Sequence, residues 1–219
     1  MKRCLVLGAS GFIGGHIALL ALQQNLVVRG LRRDPAHAGH AGENTIEWLQ
    51  GDISNDHQLR NAMQGMNFVF HAAGYYPKPE DHRPADVQIQ QALEEIRNVI
   101  DTARETGVQR LIYTSSLSTI GLPPDNEPRL ADERDMYRPG TFPDNIYYES
   151  KIAMEQEVLQ AFEDGLDVVI LNPTLVFGPG DIHLATGSIL LAAARGYTLA
   201  SPAGTINVVD VRDAANAHL

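Results

Sequence analysis

A doubly wound α/β fold, a parallel sheet with helices on both faces, is the class this sequence predicts, and three observations carry it. Short β-branched apolar runs alternate with longer stretches of helical period. The first run leaves through a glycine triplet directly into an apolar helix. Each helix candidate then meets a glycine, an asparagine or another turn signal.

The elements follow in order. Cys4–Leu7 reads as the first strand and Ile13–Gln24 as the helix after it, stopped by Asn25. Val27–Leu31 and Ile46–Gln50 are the next strands, and His57–Met63 is a short helix ending before Gly65. Phe68–His71 is the fourth strand, Asp86–Glu105 a long helix closed by Gly107, and Leu111–Thr114 the fifth strand. Tyr147–Glu163 is the last long helix, and Asp167–Leu171 the sixth strand.

Beyond Leu171 the alternation stops. A Gly/Pro-rich loop (172–181), a small apolar helix near 188–194, a strand near 206–209 and a helix from about Arg212 are expected. That last helix reads as opening without a terminator or a partner, so a truncated chain is expected. Residues 1–171 are therefore read as one unit, and 172–219 as an interleaved, truncated part of a second lobe. Two irregular stretches, Tyr75–Pro84 and Gly121–Asn145, follow the carboxyl ends of strands, where ligands bind in such sheets.

Composition excludes several classes. With 219 residues, 44% hydrophobic and 20% charged, the chain can bury a core and is neither disordered nor collagen-like. A net charge of −10 opposes loose binding to nucleic acid or an anionic membrane. The single cysteine, Cys4, rules out an internal disulfide and makes a reducing cytoplasm the expected compartment. Lys2 and Arg3 before an apolar stretch mimic a secretory signal, but Gly8, Gly11, Gly14, Gly15, Ser10 and His16 interrupt its core.

Gly8-Ala9-Ser10-Gly11-Phe12-Ile13-Gly14 carries the most information. Gly8 permits the tight turn, Gly11 lets backbone N–H groups approach a pyrophosphate, and Gly14 allows the helix to pack closely on the strand. The helix N-terminus supplies local positive potential, which captures an anion despite the acidic chain. At the end of the second strand, an acid would hold a ribose 2′-hydroxyl. Here stand Arg32 and Arg33, while Asp34 precedes Pro35 and reads as a turn residue. The arginines favour NADP, with NAD as the alternative.

Tyr147 and Lys151 lie four apart and share one helix face. A phenol works as acid and base near neutrality only if neighbours favour the phenolate by about 4 kcal/mol. A desolvated lysine, a bound nucleotide cation and a hydroxyl donor together supply that, and Ser116, at the end of the fifth strand, is the candidate donor.

With these features in order, the chain resembles the extended short-chain dehydrogenase/reductases, in their dihydroflavonol-reductase-like and sugar-epimerase-like branch. Further segments carry the likeness: Gly51-Asp52-Ile53, His71-Ala72-Ala73-Gly74, Tyr113-Thr114-Ser115-Ser116, Asn172-Pro173-Thr174-Leu175-Val176-Phe177-Gly178-Pro179 and Asn207 to Asp213. The resemblance implies a Rossmann-type fold, with Tyr147 as general acid/base, Lys151 as its ribose-binding partner and Ser116 as the group polarising a carbonyl. It implies cofactor contacts from Gly8, Ser10, Gly11, Phe12, Ile13 and Gly14. Arg33 would face the 2′-phosphate, Asp52 and Ile53 would flank the adenine, and Ala72, Ala73 and Gly74 would line the cofactor. Pro173, Thr174, Leu175, Val176 and Ser188 would hold the nicotinamide end. It also implies a homodimer through 86–105 and 147–163.

Departures accompany the matches. Where many relatives carry an Asn-Val-x-Gly-Thr-x-Asn pattern, this chain has Ala92 and keeps only Asn98, and His40 stands where plant relatives carry a phosphate-binding lysine. The eight histidines lack the helical spacing with an acid that a catalytic zinc site needs, so no metal is expected. His37, His40, His57 and His82 read as solvated, His71 as packed at a strand end and Trp48 as core. Tyr75 and Tyr76 either shape a pocket or cover the sheet edge.

The expected function is an NADP-dependent oxidoreductase that reduces an aldehyde or ketone by hydride transfer, Tyr147 giving the proton. A nucleotide-sugar epimerase or dehydratase with tightly held NAD(P) is the alternative, and a non-catalytic cofactor-sensing protein the second. The partners expected are a small-molecule carbonyl or sugar nucleotide, with neither nucleic acid nor membrane.

Overall fold

The computed structural model describes residues 1–36, 39–41, 45–77, 80–124, 127–182, 186–197 and 207–219. Six strands form one parallel sheet: β1 (Arg3–Leu7), β2 (Val27–Arg32), β3 (Glu47–Gln50), β4 (Phe68–His71), β5 (Arg110–Thr114) and β6 (Val168–Leu171). Their order is β3-β2-β1-β4-β5-β6, so the chain runs outward from β1, returns to place β4 beside it, and continues the other way. The order reverses between β1 and β4, where such sheets open a crevice at their carboxyl ends. Helices α1 (Phe12–Gln23), α2 (Asp56–Met63), α3 (Ala85–Thr106) and α4 (Ile146–Glu163) connect the strands. All ten elements match expectation, with bounds shifted by one residue at most.

The pleat sorts strand side chains into two cores. Leu5, Leu7, Val69, Leu111 and Tyr113 meet Leu59 and Met63 of α2, Ile96 of α3 and Met154 of α4. The alternate residues Cys4, Val6, Phe70 and Ile112 meet Ile17, Ala18 and Ala21 of α1. Trp48 packs against this second core, as expected. Burial pushes the Cys4 thiol up to about 12, so it behaves as a small apolar group. Side chains of Asn55 and Asn145 cap α2 and α4, and α3 ends on Gly107 at φ 70°.

The last part differs from expectation in two ways. Leu175–Phe177, read as loop, is a strand (β7) paired in parallel with β8 (Val208–Asp210). Three residues before Gly178 and Pro179 carry too little local signal, and the pairing comes from residues more than thirty positions away. The expected start of the latter strand at Ile206 lies outside the described residues. The final helix, α6 (Val211–Ala217), read as partnerless, packs on α1: Val211 lies against Phe12 and Ile13, and Ala215 joins the core of Ile17. His218 closes it, its Nε2 2.8 Å from Thr114 Oγ1. Between them runs α5 (Gly187–Ala194), as expected. Among the described residues, no helix is long and apolar enough to cross a membrane.

Candidate active site

The glycine turn joins β1 to α1 without room for side chains. Gly8 has φ 89°, a left-handed conformation, and a Cβ there would stand 2.9 Å from the backbone of Ala72. A Cβ on Gly14 would meet Gly8 O at 2.2 Å, so the first turn of α1 sits directly on the end of β1. Gly11 N donates to Gly8 O at 2.8 Å. No acidic residue in the first turn of α1 cancels the positive end of its dipole. A turn closed to a Cβ at Gly8 and Gly14 but open to backbone N–H groups fits a pyrophosphate.

Two chambers flank the cradle. The first, about 500 Å³, is lined by Gly8, Ser10, Arg33, Asp52, Ile53, Ala73 and Gly74. The second, about 660 Å³, is lined by Phe12, Ile13, Ala72, Gly74, Ser116, Tyr147, Lys151 and residues 173–176. Gly74 and Tyr76 belong to both walls, so the chambers meet there. Ser188 lies exposed on α5, two residues beyond Thr186, which lines the second chamber.

Arg32 and Arg33 both line the first chamber, together with Asp52. Arg32 also stacks over Trp48, 4.7 Å from its ring centroid. Asp34 accepts from Ala36 N at 2.9 Å, the local turn expected before Pro35. Asp52 accepts from Ser54 N and Ser54 Oγ, at 2.9 and 2.8 Å. Asn98 donates to Ile53 O and ties α3 to the end of β3. His57 and His82 are exposed, while His37 and the side chain of His40 lie outside the described residues.

In the second chamber, Tyr147 OH donates to Ser116 Oγ at 3.2 Å. Ser118 N donates to the same oxygen at 3.1 Å. With both acceptor positions used, the Ser116 hydroxyl keeps its own proton to donate into the chamber. Lys151, one turn along α4 from Tyr147, is 2% exposed, and burial pulls its ammonium down to about 8, opposed by the Glu155 charge. The expected catalytic residues and most of the expected cofactor residues thus gather around one crevice, whereas Ser188 lines neither chamber.

Four more side chains complete the site, of which Glu149 and Glu155 escaped the sequence reading. Tyr76 stacks on Tyr147, ring centroids 5.4 Å apart, with Lys151 Nζ 5.4 Å from the Tyr76 centroid; of its two proposed roles, it takes the pocket one. Tyr75 is buried and donates to Gln88 Oε1 at 3.0 Å. Glu149 accepts from Gly140 N at 2.6 Å and from Phe142 N, pinning the loop before α4 so that Phe142 packs on Tyr137 and Tyr148. Glu155 is buried and accepts from Ser115 Oγ and Asn172. Its spacing of four from Lys151 was the available signal.

A model of the NAD dependent epimerase/dehydratase family matches residues 4–219. The chain belongs to this family. A Synechocystis sp. protein provisionally named dihydroflavonol 4-reductase is 35% identical over 221 residues, all of this chain and 63% of the relative. Cinnamoyl-CoA reductase 1 of Oryza sativa subsp. japonica is 29% identical over 231 residues, covering 98% of this chain and 65% of the relative. The solved structure of gox2253 superposes with a TM-score of 0.85 at 32% identity, over all of this chain and 65% of that one. This epimerase/dehydratase chain therefore spans about two thirds of the length of the relatives it matches. The likeness to the extended short-chain dehydrogenase/reductases holds across the whole chain, from the glycine cradle to α6.

Proposed function

We propose that this family member binds NADP across the two chambers and reduces an aldehyde or ketone. The observation that carries the reading is the Tyr147–Ser116 hydrogen bond in the second chamber, which the buried Lys151 also lines. Reductase names among relatives matched over 98–100% of this chain support it.

The cradle would hold the pyrophosphate on α1, and Arg33 the 2′-phosphate. Residues 173–176, with Ser188, would hold the nicotinamide end. When bound, the cofactor supplies the hydride. Ser116 donates a hydrogen bond to the substrate carbonyl oxygen, and Tyr147 delivers a proton to that oxygen. Lys151 would donate to the ribose hydroxyls and would place its positive charge beside the proton transfer. The reading includes a homodimer through 86–105 and 147–163, a cytoplasmic location, and division into a cofactor unit (1–171) and part of a substrate lobe (172–219).

Fluorescence titration with NADPH and NADH tests it first. NADPH should bind more tightly, and Arg33→Glu should abolish the preference; binding of neither cofactor overturns the reading. Oxidation of NADPH with a panel of aldehydes and ketones comes next, where Tyr147→Phe should lower the rate at least about 100-fold. Conversion of a sugar nucleotide without net change in NADPH would make the protein an epimerase or dehydratase instead.

A further inference from the structure

The first chamber holds a carboxylate that neither the motifs nor the proposed mechanism uses. Glu95, midway along α3, is half-buried and stands on the same wall as Gln91 and Arg83. Gln91 Nε2 donates to Glu95 Oε1 at 2.8 Å, and Gln91 Oε1 in turn accepts from Arg83 at 2.8 Å. The carboxylate is therefore held in one orientation rather than left to swing in solvent.

Asp52 and Arg33, just beyond the ends of β3 and β2, line the same chamber. Burial and the Asp52 charge push the Glu95 carboxyl up, while Arg33 pulls it down, so all three groups lie within electrostatic reach. Asp52 is already engaged by Ser54 through one oxygen. Glu95 shares the field of Arg33, the cation assigned to a 2′-phosphate.

We propose that Glu95 is a specificity-determining residue that weakens the preference for a 2′-phosphorylated dinucleotide set by Arg33. A 2′-phosphate brings close to two negative charges into a chamber lined by three carboxylates, of which Asp81 is paired with Arg83; Asp52 and Glu95 both repel it and offset the guanidinium. A 2′-hydroxyl brings no charge and can donate to a carboxylate. The inference rests on the dinucleotide reading above.

The test measures Kd for NADPH and NADH by fluorescence at low salt for the unchanged chain, Glu95→Gln, Glu95→Ala and Glu94→Gln. Glu94 is exposed on the same helix, where Gln90 donates to it at 3.1 Å, and removes the same charge outside the chamber. The ratio of the NADH to the NADPH constant should rise about fivefold in both Glu95 variants and stay unchanged in Glu94→Gln. An unchanged ratio in the Glu95 variants, an equal rise in Glu94→Gln, or equal weakening of both cofactors overturns the role of Glu95 while leaving the dinucleotide reading intact. Failure of the unchanged chain to bind either cofactor removes that reading, and this inference with it.

Discussion

The side-chain amide of Asn172, just beyond β6, donates to the Glu155 carboxylate of α4 at 2.9 Å. The same amide reaches Thr119 Oγ1 at 2.8 Å and Ser116 O at 3.3 Å, and Ser115 Oγ donates to the same carboxylate. One buried charge thus joins the ends of β5 and β6 to the helix that carries Tyr147 and Lys151.

Removing that charge should be costly. Glu155→Ala leaves Ser115 and Asn172 without their acceptor and the Lys151 ammonium without its nearby counter-charge. Unfolding free energy should fall by about 3–5 kcal/mol. Urea denaturation with an unchanged midpoint would contradict the tie described above.

Lys151 should make stability rise at alkaline pH. Burial lowers its folded value to about 8 from 10.5, so between these the unfolded chain binds more protons than the folded one. Stability then increases from about pH 8 to about pH 10.5, by up to about 3 kcal/mol. Melting temperatures across this range should climb less in Lys151→Met, since its side chain cannot titrate.

His71 acts at the other end of the scale. It is buried against Tyr113, ring centroids 5.5 Å apart, and among the described residues neither ring nitrogen has a hydrogen-bond partner. Burial, with the Lys151 charge second, drives it down to about 3 from 6.5. Its neutral form stabilises the fold fully above pH 6.5, and that stability is lost as pH falls toward 3, about 2 kcal/mol of it by pH 5. His71→Phe should show a shallower acid limb in melting experiments; an identical limb would exclude this histidine as a contributor.

Gly14→Ala should damage both fold and cradle. The added methyl would lie 2.2 Å from Gly8 O, a backbone atom that cannot yield without moving the turn. A loss of about 1–3 kcal/mol and weaker NADPH binding are expected, read by calorimetry and fluorescence titration. Gly65→Ala, where φ is 74° but no atom lies within 4 Å, should cost stability without affecting the cofactor.

Much of this architecture was legible because its causes are local. The strand, glycine turn and apolar helix at residues 3–23 occupy one continuous stretch, and each glycine has a geometric reason within that stretch. Tyr147 and Lys151 share a helix face through spacing alone. The role of Glu155 was illegible because a glutamate on a helix ordinarily faces water. Only the approach of Ser115, forty positions away, turns it into a buried hub. The β7–β8 pairing and the seat of α6 on α1 were hidden for the same reason, each being made between segments with weak signals of their own.

The sequence by itself determined the fold class, the order of the elements and the two motifs that face each other across the crevice, because periodicity, turn chemistry and short-range spacing act within a few residues. The tertiary structure decided which side chains share a chamber. It put Arg33, Asp52 and Glu95 around one chamber, stacked Tyr76 on Tyr147, and buried Lys151 and Glu155 on α4. Those choices arise where strand ends and helix faces distant in the chain come together, and charge, desolvation and hydrogen bonding act through space rather than along it.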